Sequence, residues 1–523
     1  MGIFALYDTV SIQKYIYSSN RLRDNQGASA LVERCFSQLL INAVKEEAEE
    51  GTFSKISVEW ETNPQKVGFA EDPEIDCEVL YIGGGNALLY FKDESGVTWK
   101  KVNERFSCVL LAEMPGLSVV TEIEKNTGDF GIDLDQLFKK LQLKKYESRG
   151  AQDAQCLSVT RECSQSGKPA VAQGADGNWI AEEIIKKREA SVQEISKTLY
   201  KEIGDLAGML GEQWVAVVHI DGNRMGDAIR RLTKEPDVKK GIAKLREFSM
   251  ATARLYDVAY EKMKIWCADW IQESTDSRMA VYKEKREPPF RKIYGAGDDL
   301  TFICYGPLAI QSAEQFLKNL EKEREQSAFL KETGIPISAC AGIAFAKPGY
   351  PFSKAYEIAE ACCRSAKKRT INEMGSYLDF QIIYGGLDSL RQMREKQTAS
   401  KGRIMLRPYR TVSTEMDELK NFYLISEWIA GSGIARSKWK ELRNASEQGE
   451  KTLGESVGRL RRRYNRQITE LFSLLNENHV LTDASANTNT NDIAVLWDGL
   501  EMMDLYIKRP KANNGEAKNE TDN

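Results

Sequence analysis

The sequence predicts an α+β protein built on two ferredoxin-like halves, followed by a mostly helical C-terminal part. Three observations lead there. Two long stretches each read strand, helix, hairpin, helix, strand, the β-α-β-β-α-β order of that fold. Each contains a hairpin turned by glycines, V-L-Y-I-G-G-G-N-A-L-L-Y-F at 79–91 and I-Y-G-A-G-D-D-L-T-F-I-C at 293–304. The same unit occurring twice marks an internal repeat.

The first half, 1–125, opens with an apolar run from Ile3 to Tyr7 that ends at Asp8. Ile12, Tyr15 and Ile16 have helical spacing, and Ala28 to Val44 reads as an amphipathic helix. Strands are expected at 56–62 and across 77–91, a helix at 98–113 and a closing strand at 117–124. Residues 126–205 read as an irregular connector, with Lys168-Pro169, a glycine-rich stretch at 174–177, and Cys156 and Cys163.

The second half, 206–386, starts with an unbroken apolar run from Trp214 to Ile220, the mark of a buried strand. It ends in Asp221-Gly222, and a helix begins near Asn223. A long helix follows at 240–272, then the hairpin at 292–304, a helix at 306–327, a strand at 335–346 and a helix at 353–369 that ends in Ala366-Lys367-Lys368. Residues 387–508 carry a charged helical pattern, including a basic run of Arg459, Arg461, Arg462, Arg463 and Arg466. That run fits a solvated helix face, or a surface for docking RNA or protein. The last stretch, 509–523, has almost no apolar residues and is expected to be disordered.

Composition narrows the chemistry. The 523 residues are 42% hydrophobic with a net charge of −4, which suits folded cores and not a wholly basic nucleic-acid binder. No stretch approaches the roughly 18 apolar residues of a membrane span, and the N-terminus lacks the pattern of a signal peptide. Ten cysteines without a C-x-x-C pair suggest reduced core thiols and a cytoplasmic location. Only two histidines occur, His219 and His479, which leaves little room for histidine-rich zinc sites or Ser-His-Asp hydrolysis.

The chemistry concentrates at Gly295-Ala296-Gly297-Asp298-Asp299. Gly295 and Gly297 can supply the positive φ of a tight turn. Adjacent aspartates repel each other, and a divalent cation between them removes that cost. Taken alone, the turn fits an ordinary polar hairpin equally well. Asp221, at the end of a strand and before a glycine and a helix, is a metal position or a helix N-cap. In a ferredoxin-like sheet the two strands are neighbours, so Asp221 should converge on Asp298 and Asp299. Three carboxylates there suit Mg²⁺ or Mn²⁺, whose ligands are hard oxygens, and two such ions can drive in-line displacement at a phosphate. Lys367 could reach a triphosphate, or be a surface lysine.

Taken in order, the motifs resemble the large palm-domain subunit of type III CRISPR effector complexes. I-Q-K-Y-I followed by R-L-R-D-N-Q-G-A-S-A-L-V is similar to the family's first-palm opening, and I-G-G-G-N to its first-palm hairpin. H-I-D-G-N-R-M-G is similar to its D-G-D-x-M-G segment, and Y-G-A-G-D-D-L to its G-G-D-D hairpin. S-A-C-A-G-I-A-F-A, with the helix ending in A-K, is similar to its closing strand and helix. The resemblance implies synthesis of cyclic oligoadenylate from ATP held between two palms. It assigns metal binding to Asp298, Asp299 and Asp221. The candidate nucleotide contacts are Gly83, Gly84, Gly85, Asn86, Gly295, Gly297, Gly222, Asn223 and Lys367. Expected partners are ATP, guide RNA and other subunits of such a complex, or the chain alone or self-associated if it stands apart.

Three departures from the family's pattern stand out. Ala296-Gly297 precedes the acids where two glycines are usual. Asn223 replaces a second aspartate, whose duty Asp227 could take. No stretch resembles the family's N-terminal HD nuclease, so DNA cleavage by this chain is not expected, and Cys156 and Cys163 are candidate remnants of its zinc module. Two other readings stay open: a non-catalytic RNA-binding scaffold, and a standalone cyclase with a different product.

Overall fold

A computed structural model describes residues 2–148, 158–174, 177–196, 198–208, 213–285, 287–396, 398–399, 402–403, 405–411, 418–448, 450–477 and 497–508. The expected disordered tail at 509–523, Cys156 and His479 lie outside the described residues.

The first half begins with strand β1 (Ile3–Val10) and a short helix α1 (Ile12–Ile16). Helix α2 (Leu22–Arg34) runs through a π-helical turn at Cys35–Leu40 into α3 (Ile41–Glu49). The helix thus starts well before Ala28, because Leu22 is fully buried and already belongs to the packed face. Only Ile56–Ser57 (β2) of the expected 56–62 strand forms. Glu59, Glu61 and the Thr62-Asn63-Pro64 turn residues do not suit a ladder. The hairpin is β3 (Cys77–Gly83) and β4 (Asn86–Phe91), followed by α4 (Val97–Glu113), β5 (Ser118–Lys125) and α5 (Phe130–Ser148). The sheet order is β2-β3-β4-β1-β5.

The connector contributes α6 (Glu182–Ser196), which crosses α2. The crossing is close: a Cβ at Gly27 would lie 1.6 Å from the Lys187 carbonyl oxygen. This accounts for glycine in the middle of an otherwise helical stretch.

The second half repeats the first. It comprises β6 (Val215–Gly222), α7 (Met225–Leu232), the long α8 (Val238–Glu273), the hairpin β7 (Phe290–Ala296) and β8 (Asp299–Tyr305), α9 (Ala309–Gln326) and β9 (Ala339–Ala346). Helix α8 begins at an Asp237 cap whose carboxylate accepts from the Lys240 amide at 3.0 Å. Helix α10 (Phe352–Arg369) then returns the chain to β10 (Tyr377–Ile382), parallel to β9, and β11 (Tyr409–Arg410) closes the sheet in the order β11-β10-β9-β6-β8-β7. Every residue of Y-L-D-F-Q-I is buried, yet no alternation marks β10 in the sequence, because both of its faces are covered.

One buried ionic tie joins the halves. Arg246 of α8 is fully buried and donates to the carbonyls of Leu80 (2.5 Å), Lys66 (2.6 Å) and Val79 (3.2 Å), and pairs with Glu78 at 2.9 Å. Glu78 in turn accepts from the amides of Gly68 and Phe69 at 3.0 and 2.7 Å. The charge is therefore satisfied on every side, the condition for burying one at all.

The C-terminal part is helical: α11 (Glu418–Gly431), α12 (Arg436–Glu447), α13 (Glu450–Arg463) and α14 (Asn465–Glu477). It has its own apolar cluster around Trp439, Leu442 and Leu471. Buried Arg407 anchors the 497–508 segment through Glu501 at 2.7 Å and Asp498 at 3.4 Å. Among the described residues no helix is long and apolar enough to cross a membrane.

Candidate active site

The strand register explains why three carboxylates meet. In the ladder between β6 and β8, Asp221 lies directly opposite Asp299, and His219 opposite Thr301. Side chains two apart share a face, so these four look out from the same side of the sheet. Asp298 occupies the turn beside them, where its carbonyl accepts from the Gly222 amide at 3.0 Å. Gly297 takes φ 63°, the left-handed value that this turn needs. Gly295, in contrast, lies within the strand.

The carboxylates strain against each other. Burial, then the charge of Asp221, pushes Asp298 up to about 6. Asp299 is driven well above the usual carboxylate range by burial, Asp221 and Asp298, with Gln13 of α1 hydrogen-bonding to it in the opposite sense. One oxygen of Asp299, Oδ1, is buried without a hydrogen-bond partner. His219 Nδ1 lies 3.4 Å from it and 3.1 Å from Thr301 Oγ1. Burial holds the His219 imidazole down to about 4, against the pull of Asp221, so the ring is neutral near pH 7. Sequence reasoning passed over His219, although its i−2 spacing from Asp221 on a strand was a usable signal.

Lys367 does not point outward. Its Nζ lies 2.6 Å from Asp221 Oδ2 and 2.7 Å from the Gly222 carbonyl oxygen. Burial opposes its charge, but Asp221 more than offsets this and raises its pKa. Asn223 is buried and turned aside. Its amide nitrogen donates to Ser338 Oγ (2.9 Å) and to the Gly375 carbonyl (3.1 Å), which fixes the end of β6 to the start of β9. Asp227 is exposed and paired with Arg230 at 2.6 Å.

The first-palm residues Gly83, Gly84 and Gly85 come to the same place, whereas Asn86 accepts from the Tyr81 hydroxyl and lines a separate hollow beside Phe138 and Ile229. A Cβ at Gly297 would lie 3.7 Å from the Cα of Gly84, so the two hairpin tips touch. A cleft of about 280 Å³ opens there, lined by both glycine turns, Asp299 and Tyr256. Tyr256 is buried, and its hydroxyl has no hydrogen-bond partner. On the face that carries His219, Asp221 and Asp299, Tyr17 from just beyond α1 stacks on Tyr356 of α10 at 3.7 Å, and Tyr356 meets His219 edge-on at 5.4 Å. Sequence spacing had no means of pairing residues 17 and 356.

A divalent cation is tested by this donor set. Among the described residues, no three His, Cys, Asp or Glu side chains are already gathered at metal distance around one point. The donors nonetheless fit in kind: three carboxylates, one with an orphaned buried oxygen, beside a backbone carbonyl, all hard oxygens of the sort Mg²⁺ takes. Lys367 stands where such an ion would share Asp221. In the connector, Cys163 is buried and its sulfur accepts from the Gln165 amide at 3.5 Å.

Residues 214–374 match the family model of the Cas10/Cmr2 second palm domain. Over this stretch the chain carries a Cas10-like second palm domain. Among curated proteins none matches. Its fold is shared with solved Csm1–Csm4 cassettes. The cassette in complex with pppApApA aligns with TM-score 0.51 and 12% identity over 97% of this chain and 69% of that one. The complex with cA3 gives 0.50 and 11% over 97% and 70%, and that with one ATP gives 0.50 and 12% over 97% and 70%. At such identity the likeness is one of fold. The match to the Cas10 model covers β6 to α10, the stretch that carries Asp221, the Asp298-Asp299 tip and Lys367.

Proposed function

We propose that this Cas10-like chain is a metal-dependent nucleotidyltransferase that joins ATP into cyclic oligoadenylate, as the large subunit of a type III CRISPR effector complex. The observation that carries the reading is the register of Asp221 against Asp299, with Asp298 at the same tip and a buried Asp299 oxygen left without a partner. The similar structures, cassettes in complex with ATP, pppApApA and cA3, point to the same substrate and product class. They also point to a Csm4-like partner. Guide RNA is a partner on the family resemblance alone.

Asp221, Asp298 and Asp299 would hold Mg²⁺ or Mn²⁺. A bound ion there supplies charge neutralisation for the phosphates and a more acidic attacking hydroxyl. The chain's own part is positioning. The register fixes Asp299 opposite Asp221, and the turn amide of Gly222 holds the Asp298 carbonyl. Neutral His219 packs behind Asp299 without adding charge. The glycine turns of both hairpins let a nucleotide backbone approach without side chains in the way. The lysine at 367 brings a cation to the edge of the phosphate site.

The test is to incubate purified protein with ATP and Mg²⁺ or Mn²⁺, with and without candidate RNA activators, and to identify products by mass spectrometry. Oligoadenylate that disappears in D298A/D299A supports the reading. Turnover that survives the double substitution sinks the site. A scaffold reading has one observation in its favour, the tying of Asn223 into the sheet junction. It predicts no turnover under any activator.

A further inference from the structure

The electrostatics of the two palms differ in a way that assigns Lys367 a role, given the metal-dependent reading above. At the second palm, Asp221, Asp298 and Asp299 face one ammonium, Lys367, and a neutral histidine. Fully ionised, three negative charges against one positive leave two uncompensated, the charge of one divalent cation. The nearby Glu360 is already paired with Arg364 at 2.7 Å. At the first palm, the register equivalent of Asp221 is Asp8, which lies opposite Asn86 as Asp221 lies opposite Asp299. Asp8 is paired with Lys145 of α5 at 2.5 Å, and the hairpin offers a carboxamide instead of a carboxylate. One carboxylate and one ammonium balance there.

We infer that Lys367 is a resident cation that occupies Asp221 and the Gly222 carbonyl in the ion-free protein and must be displaced for a divalent ion to bind. Both of its oxygen partners are of the kind that Mg²⁺ takes, and it holds them at 2.6 and 2.7 Å. Two cations cannot share the same carboxylate oxygen at contact distance without strong repulsion. Asp221 and Lys367 are both partly open to solvent, at 38% and 29% of their side-chain area, so an ion from solution can reach the pair. Lys367 thus lowers the affinity of the empty site, and ion binding releases its ammonium. The equivalent Lys145 has no competitor to yield to.

The experiment measures Mn²⁺ binding by electron paramagnetic resonance in the full chain without nucleotide. Wild type, K367M, K367R, K145M and D221N are compared, and circular dichroism checks that each is folded. Since a like charge at contact shifts a neighbouring ionic equilibrium by roughly one decade or more, K367M should bind Mn²⁺ about tenfold more tightly than wild type. Its ATP turnover should fall at the same time, a pairing that a merely structural lysine would not produce. K367R should stay close to wild type, and K145M should leave Mn²⁺ affinity unchanged. Equal or weaker Mn²⁺ binding by K367M overturns the displacement role while leaving the metal site standing. Mn²⁺ binding undiminished in D221N overturns the site assignment itself.

Discussion

The two palms of this chain share the strand register around their hairpin tips and differ in the side chains placed there. Asp8 opposite Asn86 in the first palm corresponds to Asp221 opposite Asp299 in the second. The Thr9 amide bonds the Gly85 carbonyl at 3.0 Å, as the Gly222 amide bonds the Asp298 carbonyl at 3.0 Å. Each hairpin carries a bulge in its first strand, at Leu80 and at Ile293, three residues before the turn. Ser11 (φ 56°) and Arg224 (φ 53°), the two non-glycine residues with positive φ among the described residues, stand at matching positions, each three residues after the aspartate. A lysine from the helix behind reaches the aspartate in both. What differs is Gly85-Asn86 against Asp298-Asp299. The frame is duplicated, and the proposed cation site turns on these two side chains.

The surroundings of the tips differ too. Position 13 is glutamine in the first palm and its counterpart, 226, is glycine. Tyr17 covers the second-palm tip by stacking on Tyr356, while an apolar hollow of about 750 Å³, lined by Tyr81, Asn86, Phe138, Tyr146, Gly226 and Ile229, remains beside the first-palm tip.

The largest expected effect breaks the comparison at the acids. Losing metal ligation removes several kcal/mol of transition-state stabilisation, so D298A or D299A should cut ATP turnover about a thousandfold or more. D8N and N86A, at the equivalent first-palm positions, should cost less than about tenfold, as expected for changes that leave the metal ligands intact. Steady-state product formation separates the two.

Next is the tie between the palms. R246A leaves Glu78 and several carbonyls buried without their partner. Loss of one side of a buried ion pair costs about 3–5 kcal/mol. An unfolding free energy from chemical denaturation that falls by that amount fits a rigid two-palm frame. An unchanged unfolding free energy would contradict the tie.

The smallest effect sharpens the electrostatic contrast. Asp298 is raised to about 6 by burial and by Asp221. A carboxyl whose folded pKa lies above its unfolded value stabilises the protein below the unfolded pKa and loses that contribution as pH rises through the folded one. Without divalent ions, stability should therefore fall between about pH 4 and pH 6 on this account. At pH 7, D298N should be more stable than wild type by on the order of 1 kcal/mol. Saturating Mn²⁺ should reverse the order, because the ion stabilises only the chain that retains its ligands. Thermal unfolding with EDTA and with Mn²⁺ reads both signs.

Much of this was legible in the sequence. The two glycine-turned hairpins, the repeat of strands and helices, and the convergence of Asp221 on Asp298 and Asp299 follow from periodicity and from the neighbour rule of the fold. The equivalence of Asp8 with Asp221 was readable too, since I-F-A-L-Y-D and V-V-H-I-D both end an apolar strand in aspartate. It went unused because Asn86 breaks the acidic pattern. Lys367 was expected near phosphate, but its grip on Asp221 depends on how α10 lies across β6 and β9, which spacing does not encode. Arg246, Tyr17 and Tyr356 act across more than 150 residues of chain separation or more than one domain, and nothing local signals such pairings. Asn223 stood out as a departure from the family's pattern, and its hydrogen bonds to Ser338 and Gly375 give it a structural task.

The central claim is that one of two near-identical tips carries the chemistry. It is tested most directly by following labelled ATP with Mn²⁺ and activator in wild type, D298N/D299N and D8N/N86A. The account predicts pyrophosphate release and linked adenylates from wild type and from D8N/N86A, and neither from D298N/D299N. Product from D298N/D299N, or its equal loss from D8N/N86A, would contradict it.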